Sequence, residues 1–241
     1  MTARPPQKAG ETDRNPQEST VTLKPPKLPG ALNTDFSREE APEDHQTFSG
    51  LAMTDVHFIN LDAAHITFEK STMTRAILRG SHLEGLQIKD VRAEDCDFAN
   101  ATWPGVMLRR VEMHNSRLTG ARANEAHFQD VLFSGCKCRL AQFRFSTFKA
   151  VRFENCDLSE ADFQGADLTQ VRFVNCDLSS AEMSQAKLAG ADLRGCKTDG
   201  LHVGLEELRG AMIDPVQAVT LVRSLGIQVD WEDDQQPPPN L

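Results

Sequence analysis

The sequence predicts an all-β fold, a solenoid of square coils, and three observations predict it. A large apolar residue returns at every fifth position, a small residue stands two places before it, and the pattern recurs after twenty residues. Stepping by five from Phe48 to Leu208, 28 of 33 positions hold a large apolar side chain. Two residues earlier in each step, every position except Gln46 and Glu206 is Ala, Ser, Cys, Val, Leu or Ile. The register never slips, so no loop interrupts it.

A period of five fits neither the helical repeat of about 3.6 nor the strand repeat of about 2. Three residues alternating in, out and in make a very short strand. The next two, rich in Gly, Asn, Ser and Asp, turn the chain, as at the ends of ADFQG (161–165) and CDFAN (96–100). A turn after each five residues closes a square after four. Twenty residues per coil is also visible directly. Val91, Val111, Val131, Val151 and Val171 form one column, Phe133, Phe153 and Phe173 another, and VRFENCDLSE at 151–160 returns as VRFVNCDLSS at 171–180. Coils stacked like parallel strands lie about 4.8 Å apart, so about eight coils build a rod on the order of 40 Å long, each burying its core against its neighbours.

The units ADFQG, ADLTQ, ADLRG, CDLSE, CDLSS and CDFAN closely resemble the A(D/N)LXX signature of pentapeptide repeat proteins, over roughly residues 46–213. The resemblance implies a right-handed quadrilateral β-helix with the Leu or Phe and the small residue both pointing inward. Units before residue 95, such as LDAAH and STMTR, keep only the hydrophobic pattern and are expected to pack more loosely.

The remaining segments follow in order. Residues 1–45 cluster prolines (RPP, KPPKLPG) among polar residues without periodicity and read as a disordered tail. Pro26 to Pro29 matches PxxP, a pattern frequent by chance, and a solvated tail is the simpler reading. Residues 46–213 form the β-helix. No N-terminal cap stands out, and residues around Phe36 are the candidates for one. Residues 214–230 give a capping α-helix and a short extended segment. Asp214 is its N-cap, Pro215 its first helical residue and Gln217 the partner in a capping box. Gly226 is its stop, and Val216, Val219, Val222 and Leu225 form its apolar stripe. Packing on the end of the rod is expected. A homodimer through this helix is the other expectation, drawn from resemblance to family members that pair at that end. Residues 231–241 are a second disordered tail, acidic in character.

No residue pattern in the sequence has the spacing expected of a reaction centre. Cys96, Cys136, Cys156, Cys176 and Cys196 fall at the small inward position of one face, with Ser116 on the missing rung, and Cys138 takes a large inward position. Buried thiols in apolar surroundings are inert. Parallel side chains one rung apart exceed disulfide geometry, and a single file does not converge on a tetrahedral zinc ion. His57, His65, His82, His114, His127 and His202 all face outward. The outward Asp of many units serves solvation and turn hydrogen bonds. No glycine-rich phosphate loop is present. The expectation is a non-enzymatic protein without cofactor or metal, its core carried by the cysteine column and by Phe133, Phe153 and Phe173.

Bulk properties limit the partners. The 241 residues carry a net charge of −9, 39% hydrophobic residues and no Tyr. That charge does not fit a broad basic nucleic-acid surface. No apolar run has transmembrane length, and MTARPPQKAG has no signal-peptide core, so a cytoplasmic protein that meets no membrane is expected. Function then lies on the outside of the rod. Residues 101–150 carry eight basic and three acidic residues, and residues 151–185 two basic and seven acidic. In the coil 131–150, outward Leu132, Leu140 and Phe145 interrupt Lys137, Arg139, Arg144 and Lys149. Exposed apolar groups among arginines are what interface cores favour, so these seven residues are the candidate partner-binding belt of an interaction or scaffold module. The alternative, again from family resemblance, is a DNA-mimic regulator or protector of a type II topoisomerase, DNA gyrase. That mechanism needs dense negative charge, because duplex DNA carries about one charge per 1.7 Å. Residues 46–205 hold 20 acidic and 18 basic residues, which weakens it.

Overall fold

The five-residue register is realised as a four-sided parallel β-solenoid. The computed structural model describes residues 22–34, 41–224 and 226–230. Every large inward position from Phe48 to Thr198 is buried, as is every small one from Ile66 to Leu201. The exceptions at the ends, Gln46 and Glu206, are exposed. Leu51 and Leu61, in the looser early units, are only half-buried.

Among the described residues, ten strands are formed: β1 (Thr47–Ser49), β2 (Ala52–Thr54), β3 (Asp62–Ala64), β4 (Thr67–Thr74), β5 (His82–Glu84), β6 (Gln87–Glu94), β7 (Met107–His114), β8 (His127–Ser134), β9 (Thr147–Glu154) and β10 (Arg172–Val174). The main sheet runs β1-β4-β6-β7-β8-β9-β10, with β2 beside β4, and β3 pairs with β5. All pairs are parallel and offset by twenty residues, as in Val91↔Val111 and Val131↔Val151. The named ladder covers about six turns, fewer than the eight coils expected, because the last coils keep only isolated bridges such as Asp192↔Met212.

The corners sharpen the expected unit. Every fifth residue from His45 to Gly200 has a positive φ, whether glycine or not. One left-handed residue per unit is therefore the turn. Where the first two faces meet, the strand continues through it, so β4, β6, β7, β8 and β9 are eight residues long rather than three. The repeat aspartates bond within their own turns. Asp97, Asp157, Asp162, Asp167 and Asp177 each accept the N–H two residues on, at 3.0–3.1 Å. On the other two faces pairing shrinks to a single bridge per coil, with Asp at the position, as in Asp157↔Asp177, or without it, as in Arg117↔Lys137.

The core stacks in columns. Phe133 and Phe153 lie 4.8 Å apart at 6°, and Phe153 and Phe173 5.2 Å apart at 4°. All six cysteines are free and buried. The thiols of Cys136, Cys156 and Cys176 donate to the carbonyls of Met113, Phe133 and Phe153 at 3.4–3.5 Å. Ser116 fills its rung by accepting the Cys96 N–H at 3.1 Å.

At the C-terminal end stands α1 (Pro215–Ser224). Its capping box is reciprocal: Gln217 N–H donates to Asp214 and Asp214 N–H to Gln217, both at 2.9 Å. Gly226 (φ 79°) ends it, its N–H reaching the Arg223 carbonyl while that of Ile227 reaches Val222. The expected stripe is not the packed face. Val216 is 47% exposed, Leu225 lies outside the described residues, and the buried residues are Gln217 and Leu221. The last coil presents backbone carbonyls there, so an amide serves better than a methyl group. Gln217 Nε2 donates to Leu193 and Cys196 at 2.6 and 2.8 Å.

At the other end, Asn33 bridges Leu51 and closes the first coil through Gly50 and Ala52 at 2.8 Å. Phe36, the residue expected to cap this end, lies outside the described residues. The disordered-tail expectation does not hold for residues 22–34. They lie along the rod, because Lys24 and Lys27 donate their backbone N–H groups to Asp130 (3.2 Å) and Asp90 (2.9 Å).

Candidate functional site

The seven belt residues lie on one coil but encircle it. Leu132 is on β8, between Glu112 and Arg152 in register, and is half-buried. Lys149, exposed on β9, opposes Gln129. Lys137 bridges Arg117 and Asp157 on the third face. Arg139, Leu140, Arg144 and Phe145 are the subset on one side. A single partner surface can meet these four, not all seven.

Local rules place this subset. Leu140 (φ 60°) and Phe145 (φ 56°) are corner residues, so their side chains project away from the core and are 47% and 57% exposed. A bulky residue with positive φ is an outlier in backbone preference. The Phe145 ring lies over Gly165 one coil on, where an added Cβ would stand 2.5 Å from the ring. Asn100 leans over Gly120 in the same way. Between the two corners, Arg144 meets Asp162 at 2.6 Å, and Arg139 meets Glu160. The basic coil is thus tied to the acidic one above it, and the two charge zones neutralise each other locally.

Burial pushes the Cys96 thiol up to about 11. Hydrogen bonding with the Cys136 thiol, and then burial, pushes Cys156 up to about 12. Among the described residues, no group of three or more His, Cys, Asp or Glu is placed to hold a metal ion, and no helix is long and apolar enough to cross a membrane. Of the histidines, His65 stacks on His45 at 4.8 Å, a residue that the tail assignment had set aside.

Three features escaped sequence reasoning. Met107 is 44% exposed on β7. The segment 22–34 is docked. Beneath it Asp90, Arg110 and Asp130 form a buried corner column, with Arg110 on Asp90 at 2.5 and 2.6 Å. A signal existed for the last: alternating charge at one corner in three successive coils.

Two family models match the sequence: "Pentapeptide repeat region" over residues 86–153 and "Pentapeptide repeats", in eight copies, over 156–195. No curated protein matches. Among solved structures, the chain is similar to full-length QnrB1, a plasmid-mediated fluoroquinolone resistance protein, at 18% identity, covering 76% of this chain and 100% of that one with a TM-score of 0.32. It is also similar to HetL, a pentapeptide repeat protein involved in heterocyst differentiation regulation from the cyanobacterium Nostoc sp. strain PCC 7120, at 17% identity, 70% and 90% coverage and a TM-score of 0.33. A third is Rfr23 from the cyanobacterium Cyanothece 51142, at 11% identity, 68% and 91% coverage and a TM-score of 0.21. Likenesses this distant carry nothing about function.

Proposed function

Because this chain is a pentapeptide repeat protein, we propose that it works without catalysis, as a rigid rod that docks another protein on its outer side. The observation that carries this reading is the pair of apolar corners, Leu140 and Phe145, exposed on the side that also bears Arg139 and Arg144. Gly or Asn suits such a corner best, and a bulky residue there is held against its preference. Aromatic and arginine side chains together resemble the core and rim of protein interfaces. The ion pairs to Glu160 and Asp162 hold the two guanidinium groups beside the apolar pair.

The double variant Leu140→Asn, Phe145→Asn tests it. Asn tolerates the left-handed corner, so the thermal midpoint should not fall. Retention of the partner captured from the native host should drop about tenfold or more, as for loss of an interface anchor. Unchanged retention by a folded variant would reject the reading.

The charge arrangement gives the DNA-mimic alternative less support. A duplex substitute needs a continuous acidic stripe, whereas here Arg75–Asp55, Arg92–Glu112, Arg139–Glu160 and Arg144–Asp162 pair across consecutive coils. A gyrase supercoiling assay with the purified chain should show neither inhibition nor protection.

A further inference from the structure

The docked segment defines a second surface, independent of the belt. Residues 22–34 run along the corner between the first two faces, against the direction of coil stacking. Lys24 lies at Asp130, Lys27 at Asp90 and Asn33 at Leu51. Between Lys24 and Lys27 the two rises match. Three residues of extended proline-rich chain rise about 9.3 Å, at about 3.1 Å each. Two coils, the separation of Asp90 from Asp130, rise about 9.6 Å. Across that interval a backbone N–H three residues on meets the same corner two coils back, while from Lys27 to Asn33 the chain spends six residues on the next two coils. The positions between, Pro25 and Pro26, carry no N–H that would be left unpaired, and their rings hold φ where this conformation needs it.

The corner is built to receive such a strand. Asp90, Arg110 and Asp130 are buried there, while Lys70 and Gln170 at the same corner are exposed. Arg110 grips Asp90 through both carboxylate oxygens, and Asp90 Oδ1 also accepts the Lys27 N–H. Beside this track, Leu23, Lys24 and Pro25 enclose a cavity of about 120 Å³ with Val111, Asp130 and Leu132.

We propose that this corner is a recognition track for extended proline-rich peptide segments, selecting backbone N–H groups three residues apart, and that residues 22–28 are its resident ligand. A segment of the same chemistry on a partner enters by exchanging with the resident one. While the track is occupied, Leu132 is half-buried beside it, which separates that residue from the exposed corners of the belt.

Trypsin cleavage of the Lys27–Leu28 bond tests this in the full chain, since the protease needs the segment lifted away. Rates are normalised to free peptides of residues 20–34 with the same substitution, so that protease preferences cancel. Two N–H bonds to carboxylates should slow cleavage about tenfold or more relative to the peptide. Lys24→Pro deletes one N–H, keeps the extended conformation and leaves the rod intact. Lys24→Ala deletes the charge and keeps the N–H. Lys24→Pro should restore most of the peptide's rate, and Lys24→Ala should not. A fluorescein-labelled peptide of residues 20–34 should bind the Lys24→Pro chain saturably below about 1 mM, the scale of tethered competition, and the same peptide carrying Lys24→Pro should bind worse. Equal rates for chain and peptide, equal rates for the two Lys24 variants, or no saturable binding would overturn the proposal.

Discussion

Cysteine in this chain is a rung. Cys96, Cys136, Cys156, Cys176 and Cys196 are one coil apart or a multiple of it, and each is buried. With Cys156 and Cys176 both pushed up to about 12, thiolate is scarce at neutral pH as well as shielded. A bulky thiol reagent at pH 8 should therefore modify none of the six in the native protein and all six after denaturation. One reactive native thiol would mean that a rung opens. The inward residues were legible in the sequence because the core accepts only a narrow range of size and polarity. The left-handed corners were not. Glu125, Leu140, Phe145 and Ala150 all adopt them, since a corner side chain lies outside the core and meets no selection from it. Exposure of Leu140 and Phe145 followed from register alone, but the support of Phe145 by Gly165 needed the stacking of coils.

Elements differ in how far their sequence announces them. The N-cap, the capping box and the stop of α1 are local motifs and were readable. Its packed face was not, because the helix meets strand-end carbonyls rather than an apolar groove. Gln217 serves both ends of that contact, through Asp214 and through Leu193 and Cys196. Gln217→Glu keeps an acceptor for Asp214 but faces two carbonyls with a carboxylate. It should destabilise the chain by about 2 kcal/mol or more, the scale for a buried acceptor without its donor, measured as a lower denaturant midpoint. An unchanged midpoint would show that the helix does not seal the rod. The segment 22–34 was misread because clustered prolines and lysines describe an unfolded tail and a docked extended strand equally well. Only Asp90 and Asp130 distinguish the two.

Across the molecule, opposite charges tie particular coils together, as in Arg75–Asp55, Arg92–Glu112, Arg110–Asp90 and Arg144–Asp162. The Asp90 column ties this pattern to pH. Burial raises the Asp90 carboxyl, but the bond to Arg110, the Lys27 N–H and the nearby Arg110 and Lys89 charges outweigh it and hold the group below its ordinary value. A carboxyl depressed in the folded state adds stability that is fully present above its unfolded pKa of about 3.9 and lost as pH falls through the folded value. Cleavage at Lys27–Leu28, read by a protease active in acid, should then be flat from pH 7 to about 5 and rise below about pH 4. Loosening near pH 6 would point to histidine instead and refute the role of Asp90.

The sequence by itself determined the coil. A strict period of five with two inward positions leaves one solution, because residues that bury side chains at that spacing must turn four times in twenty and stack in register. It also determined which residues face out, hence the place of Leu140 and Phe145 and the absence of an inserted loop. The tertiary structure alone decided what lies across coils: which acid meets which arginine, which amide closes the last rung, and where the proline-rich segment rests. Those contacts join residues 18 to 106 positions apart. They depend on the match between an axial rise and a corner, a distance that no local pattern encodes.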